Sequence, residues 1–273
     1  MLKLLKHEFR ATGRIMVPAF GIVLLLSLMS KLSASAFLLP DCSGSGSSFF
    51  SLLGGLIIAA YFIAIIGLTI TGYIYMIVRF WKNLMGDEGY LTLTLPVSVH
   101  QHIWAKLIPA TVWMALAGLV IITSMLILVP RDFPLTYYLD TILGVFKDVI
   151  VRYDIPAAGI AAAIVGLSIL GVIAGYLMCY ACIALGHSFA NNRLVWSIVI
   201  FIGVQFVGNL LGGLPIFDSV LDPISLSTEL EAGGDALAVI WRAIGMGYAT
   251  TLLRGALFYC VTAYCLKHRL NLD

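Results

Sequence analysis

Long apolar stretches alternate with short polar ones along this chain. A membrane-spanning helix needs about 20 apolar residues. Six stretches qualify, at 15–39, 50–78, 108–129, 157–185, 195–214 and 241–266. The pattern predicts an all-α integral membrane protein with six transmembrane helices, forming one membrane domain over 1–273 with no soluble appendage. The second stretch has 29 residues. As a helix it would be about 43 Å long at 1.5 Å per residue, more than the roughly 30 Å hydrocarbon layer. It must tilt or project beyond the bilayer.

The polar segments read differently from one another. Residues 1–14 are amphipathic, with Leu2, Leu5 and Phe9 on one helical face and Lys3, Lys6 and Arg10 on another. That suits a helix lying at the headgroup surface, with a frayed basic tail as the alternative. No cleavable signal peptide is expected, because the apolar run that follows is too long for one. Residues 41–48 form a short Ser/Gly loop. In 130–156, Leu139, Ile142, Leu143, Phe146, Val149 and Ile150 follow helical spacing, interrupted by Asp140, Lys147 and Asp148; an interfacial helix fits better than a seventh span. Residues 215–240 carry five acids and no Lys or Arg.

Composition agrees with the pattern. The chain is 61% hydrophobic and 11% charged, against about 25% charged in soluble domains. The net charge of +2 says little, but its distribution sets an orientation. With the N-terminus inside, the inner segments hold Lys3, Lys6, Arg10, Arg14, Arg79, Lys82, Lys106, Arg193, Lys267 and Arg269. The outer ones hold Arg131, Lys147, Arg152 and Arg242. The excess inside obeys the positive-inside rule and places both termini in the cytosol.

Several chemistries lack their residues. No Lys follows a Gly, so there is no phosphate-binding Walker loop. His7-Glu8 is not continued into HExxH, and no Ser sits in GxSxG. His100 and His102 could ligate a metal from a strand, but on a helix i and i+2 point apart. Cys179 and Cys182 form a CxxC inside an apolar run, where packing is the simpler reading. Cys42 alone falls in an outer loop, so no external disulfide forms within the chain. The expectation is no catalytic residue, no metal, no cofactor held by this chain and no nucleic-acid partner.

Two features remain. Arg254 interrupts the last span; a charge at mid-bilayer costs about 2.5–3.5 kcal/mol on insertion scales. It is expected to pair with Gln205 and Asn209 of the fifth span or to face an anionic substrate. Lys31 lies nearer a span end and snorkels outward. Small residues at 159–163 suit close helix packing, in a dimer for instance.

The second feature is the segment 79–106, RFWKNLMGDEGYLTLTLPVSVHQHIWAK. Tyr90 to Leu95 alternates in hydropathy, yet a lone strand would leave unpaired edges. A short helix ending before Pro96 is the better reading. Ser98 and Gln101 then form a capping box for a helix that runs through Trp104 and Lys106 into the third span. The GDEGYLTLTLPVS run, followed by a Lys at the next span, resembles the signature loop of a family of ATP-binding-cassette permease subunits (ABC-2 type) common in Gram-positive bacteria. The ending Leu266-Lys267-His268-Arg269-Leu270-Asn271-Leu272 is similar too. About 20 residues carry this specific likeness.

The resemblance implies a permease subunit of an exporter in the cell membrane. It implies two permease subunits, as a homo- or heterodimer, working with separate cytosolic ATPase subunits that hold the ATP and Mg. The loop between spans two and three would be a coupling helix, with Gly86, Asp87, Glu88, Gly89, Tyr90, Leu91 and Pro96 as the docking element and Glu88, Tyr90 and Leu91 as its leading contacts. The alternatives are a secondary transporter working without ATP and a membrane-embedded enzyme. The first lacks an Asp or Glu mid-span, and the second lacks a catalytic cluster.

Overall fold

A computed structural model describes residues 2–37, 47–85, 98–128, 157–189, 193–212 and 236–268. Six helices carry nearly all of them: α1 (Leu2–Phe37), α2 (Ser47–Met85), α3 (Val99–Leu128), α4 (Ala157–Gly186), α5 (Arg193–Gly212) and α6 (Ala236–His268). Five contain stretches long and apolar enough to cross a membrane: Leu4–Ser33, Leu52–Met85, Val99–Leu128, Ala158–Gly186 and Ala238–Lys267. In α5 the apolar stretch, Arg193–Gly208, is shorter.

The distribution of side chains is that of a protein solvated by lipid. Leu25, Leu52, Ile63, Phe206 and Leu253 are exposed, while Thr12, Ser27, Ser30, Ser124 and Thr262 are fully buried. In water so much exposed hydrocarbon would drive aggregation. In a bilayer it costs nothing, and every polar group must instead be satisfied internally. Most Ser and Thr hydroxyls comply by returning to their own helix, although Ser30 Oγ is buried with no hydrogen-bond partner among the described residues. Thr69 donates to Ile65 O at 3.0 Å, Ser168 to Ile164 O at 2.8 Å and Thr262 to Phe258 O at 2.7 Å. Together the apolar helices define a multi-pass helical membrane protein.

The chain divides into two compact units, Met1–Met76 with Ile108–Phe146, and Ile77–Leu107 with Lys147–Asp273. The first packs α1 against parts of α2 and α3 around Val23, Tyr61, Leu68 and Ala117. Two polar chains cross it. Tyr61 donates its hydroxyl to Ser124 Oγ at 2.9 Å, and Ser124 passes its own proton to Ile121 O at 2.8 Å. Trp113 Nε1 donates to Thr12 Oγ1 at 2.7 Å, and Thr12 donates to Glu8 O at 2.8 Å.

That second chain corrects the expectation for 1–14. These residues are not a separate interfacial helix; they are the first turns of α1, which runs on through Pro18. Lys6, Arg10 and Arg14 are exposed as expected. The opposite face is packed rather than laid on headgroups, because Thr12 and Phe9 meet Trp113, the two rings 6.2 Å apart. The last helix starts five residues before its expected limit, α4 and α5 lie within two residues of theirs, and the extensions at the 79–106 segment follow the helix starting after Ser98 and the long second stretch. α2 reaches Met85 and α3 starts at Val99. Ser47 and Ser48, expected in the 41–48 loop, open α2; outside the described residues lie 41–46 with Cys42, the 130–156 helix, the acidic loop up to 235, and the last residues of the C-terminal motif.

In the second unit α4 packs against both α6 and α5. Glycines set how close. Tyr248 of α6 donates to Ala163 O at 2.7 Å, and its hydroxyl occupies the place a Cβ on Gly166 would take. Gly186 of α4 likewise sits against Ser197 of α5, whose amide nitrogen would stand 2.6 Å from any added Cβ.

Substituting Gly166→Ala should therefore destabilise the chain in detergent by about 1–3 kcal/mol, the usual cost of overpacking. Adding Tyr248→Phe removes the hydroxyl in the way, so the double variant should lose less than the sum of the two singles. Additive losses in a thermal or SDS titration would show that the hydroxyl is not the obstacle.

Candidate functional site

The segment singled out in the sequence contracts once the helices are in place. Residues 79–85 close α2 and 99–106 open α3. Gly86, Asp87, Glu88, Gly89, Tyr90, Leu91 and Pro96, with the two short helices expected there, lie outside the described residues. What is described is how the two roots of this loop are held, entirely within the second unit.

The α3 root begins after Ser98 as expected, but the Ser98 and Gln101 side chains make no capping-box bonds among the described residues. Ser98 occupies the N-cap position, its carbonyl accepting the amides of Gln101 at 2.9 Å and His102 at 3.2 Å. At the α2 root, Phe80 is fully buried and stacks on Tyr180 of α4, the centroids 3.7 Å apart and the planes within 9°. Beside it Trp81 donates its indole N–H to His187 Nε2 at 3.0 Å. The roots are also tied to each other. With its amide oriented to match its neighbours, Asn83 accepts from Lys106 Nζ at 2.8 Å and donates to Arg79 O at 3.3 Å. Lys106 is 9% exposed, so this is a largely desolvated bond to a cation, a class worth about 1.5–3 kcal/mol. On the other side of α3, His100 Nδ1 meets Tyr259 Oη of α6 at 2.6 Å, and Trp104 packs on the same ring.

His100 and His102 point apart, as helical spacing requires. His102 is 2% exposed, and its Nε2 has no hydrogen-bond partner among the described residues. Among the described residues no three His, Cys, Asp or Glu side chains converge on a point that could hold a metal ion. Cys179, Cys182 and Cys265 are buried and Cys260 is exposed, and none of the four is in a disulfide among the described residues.

His187 has a defined tautomer. Its Nε2 accepts from Trp81, so its Nδ1 carries the proton and donates to Ile183 O at 2.9 Å. Burial pushes its pKa below the ordinary imidazole value; the bond to Ile183 O opposes this and the charge of Arg193 reinforces it. The ring is kept neutral, and protonation would break the Trp81 bond by turning its acceptor into a donor.

The second sequence candidate is placed as a neighbourhood. Arg254 of α6 brings its guanidinium over Gly208 of α5, where an added Cβ would stand 3.1 Å from Nη2. Gln205, exposed, lies one turn before Gly208 on α5, and Asn209 directly after it; the side chain of Asn209 is outside the described residues. Arg254 has no hydrogen bond or ion pair among the described residues. Sequence reasoning offered Gln205 and Asn209 as partners; Arg254 makes no hydrogen bond to Gln205 among the described residues, and the glycine seat was not foreseen. Sequence reasoning also missed the Trp81–His187 and Asn83–Lys106 bonds, for which no local signal exists: the first joins residues 106 positions apart.

Compared with family models, with curated proteins and with solved structures, the chain matches none.

The His187 geometry predicts a pH dependence. Its folded pKa is lowered, so the unfolded chain binds more protons in the window below about pH 6.5. The stability tied to the neutral ring is complete above that value and is lost as pH falls from it through the lowered folded pKa. Thermal unfolding followed by tryptophan fluorescence should show this slope in the parent chain and a shallower one in His187→Asn. An equal slope in both would assign it elsewhere.

Proposed function

We propose that this chain is the permease subunit of an ABC exporter in the cell membrane, with α5 completing six spans and both termini in the cytosol. The loop 86–97 is its coupling element. It inserts into a separate cytosolic ATPase subunit, and that subunit binds the ATP and Mg. A second permease subunit, identical or related, completes the pathway. The chain has no catalytic role of its own.

One observation carries most of the reading: both roots of the loop are fastened below it. A coupling loop must transmit force rather than absorb it. Phe80 stacked on Tyr180, Trp81 bonded to His187 and Asn83 bonded to Lys106 join α2, α3 and α4 directly at the loop's ends. A displacement of the loop would therefore pass into three helices at once. The GDEGYLTLTLPVS sequence, its acidic and aromatic residues and the excess of Lys and Arg in the inner segments support the same assignment. An ordinary surface connector needs no such mount.

The reading is tested by co-purification with the ATPase subunit. Glu88→Ala with Tyr90→Ala should weaken retention of the ATPase by about thirtyfold, the effect of a single hot-spot loss of about 2 kcal/mol, while the permease still folds and inserts. The purified chain alone should hydrolyse no ATP. Unchanged ATPase retention and transport in the double variant would reject the docking role, and transport in liposomes without any ATPase would favour a secondary transporter.

A further inference from the structure

We propose that Arg254, seated on Gly208 and flanked by Gln205, is a binding site within the membrane for the anionic head group of an amphiphile, a phosphate or carboxylate carried on a hydrocarbon chain. Its depth is the first reason. Arg254 lies 12 residues from Arg242 and 13 from Lys267 along α6, about 18 and 20 Å at 1.5 Å per residue. Those two cations flank the apolar length of the helix, so Arg254 sits near its middle, where an unneutralised charge is unfavourable.

The second reason is the lack of a counter-charge among the described residues. Glu8 is the single Asp or Glu in the described residues, and it belongs to the other compact unit. Arg254 makes no ion pair or hydrogen bond among the described residues. The described part of the second unit, α6 and α5 included, has no Asp or Glu, so an identical unit from a second copy would bring none in these helices either. With no carboxylate beside it among the described residues, the guanidinium is open to a counter-charge carried by another molecule.

The surroundings say what kind. Arg254 is itself exposed. Leu252, Leu253 and Leu257 around it on α6 are exposed, as are Phe206, Val207 and Leu210 on α5. A guanidinium offering several N–H donors, with the Gln205 amide nearby, is thus framed by lipid-facing hydrocarbon. A free inorganic anion would have to shed its hydration to reach it. An amphiphile brings its own apolar chain, which the frame accommodates. Gly208 matters because an added Cβ would stand 3.1 Å from Nη2, so the guanidinium would have to shift by a few tenths of an ångström, and a larger side chain would displace it further. That the occupant is the exported cargo rests on the permease reading; the site itself does not.

The test uses the full chain purified in a neutral maltoside detergent, without an ATPase, so its result is independent of the docking experiment. Dodecyl phosphate should bind the parent chain, and Arg254→Gln should weaken that binding about tenfold or more, the loss of a hydrogen bond to a charged group. Arg254→Lys should retain part of it, and Gly208→Val should weaken it with the arginine still present. Inorganic phosphate should not compete. Phosphatidylglycerol in phosphatidylcholine nanodiscs separates the two sources of such a head group: protection of the parent chain but not of Arg254→Gln identifies a bilayer lipid, and its absence alongside dodecyl phosphate binding identifies a diffusible amphiphile. Without ligand, Arg254→Gln should melt no lower than the parent, because no pair among the described residues is broken. Equal dodecyl phosphate affinity in the two proteins, competition by inorganic phosphate, or a lower melting temperature of the unliganded variant would each overturn the proposal.

Discussion

Hydrocarbon offers no hydrogen bond, and this constraint organises the whole chain. Each helix closes its own backbone bonds, so the extended apolar stretches have a single stable form in lipid. The same rule then reaches the side chains. Ser and Thr hydroxyls turn back on the preceding carbonyls, and the larger polar groups find each other across helices: Tyr61 with Ser124, Trp113 with Thr12, Tyr248 with the Ala163 carbonyl. These bonds substitute for water. They also select which faces of the helices meet, since a buried hydroxyl without a partner costs about 1–3 kcal/mol.

Glycine controls how closely the faces approach. Between identical apolar surfaces in lipid there is little hydrophobic drive to associate, so contact depends on packing and on polar bonds at short range. Gly166 makes room for the Tyr248 hydroxyl, and Gly186 lets α5 come against α4 at Ser197. Gly208 does the same for a charged group, giving the Arg254 guanidinium a place along α5. The three glycines thus have one physical role with three different consequences: a hydrogen bond, a backbone approach and a seated cation.

The polar end of the second unit follows other rules. There aromatic rings and partly desolvated polar groups are packed together, with Phe80 on Tyr180, the Trp81 indole on a neutral His187, and Asn83 on the Lys106 ammonium. Such pairs are directional and restrict the helices more than leucine contacts do, because each is lost if its partner shifts or changes protonation. The roots of the loop at 86–97 are consequently the most closely specified part of that unit. Arg254 contrasts with this. It is a cation whose environment supplies space and hydrocarbon and, among the described residues, no bonded partner.

Much of this was written locally in the chain. The number, order and type of helices follow from runs of apolar residues, because crossing hydrocarbon needs length and little else. The start of α3 after Ser98 is where the Ser98 signal and the preceding Pro96 put it. The exposed cations of residues 6–14 follow from a period of 3.6. Three things were decided by tertiary structure. The first turns of α1 joined the span instead of lying apart, because Trp113, a hundred residues away, supplies a donor to Thr12. The roots of the loop were tied by pairs that no spacing rule connects. Arg254 was seated on one particular glycine of α5, when the sequence offered only a choice of polar neighbours. The physical reason is the range of the forces: helix formation in lipid depends on residues within a few turns, whereas the partner of a buried polar group depends on which helices come to lie side by side.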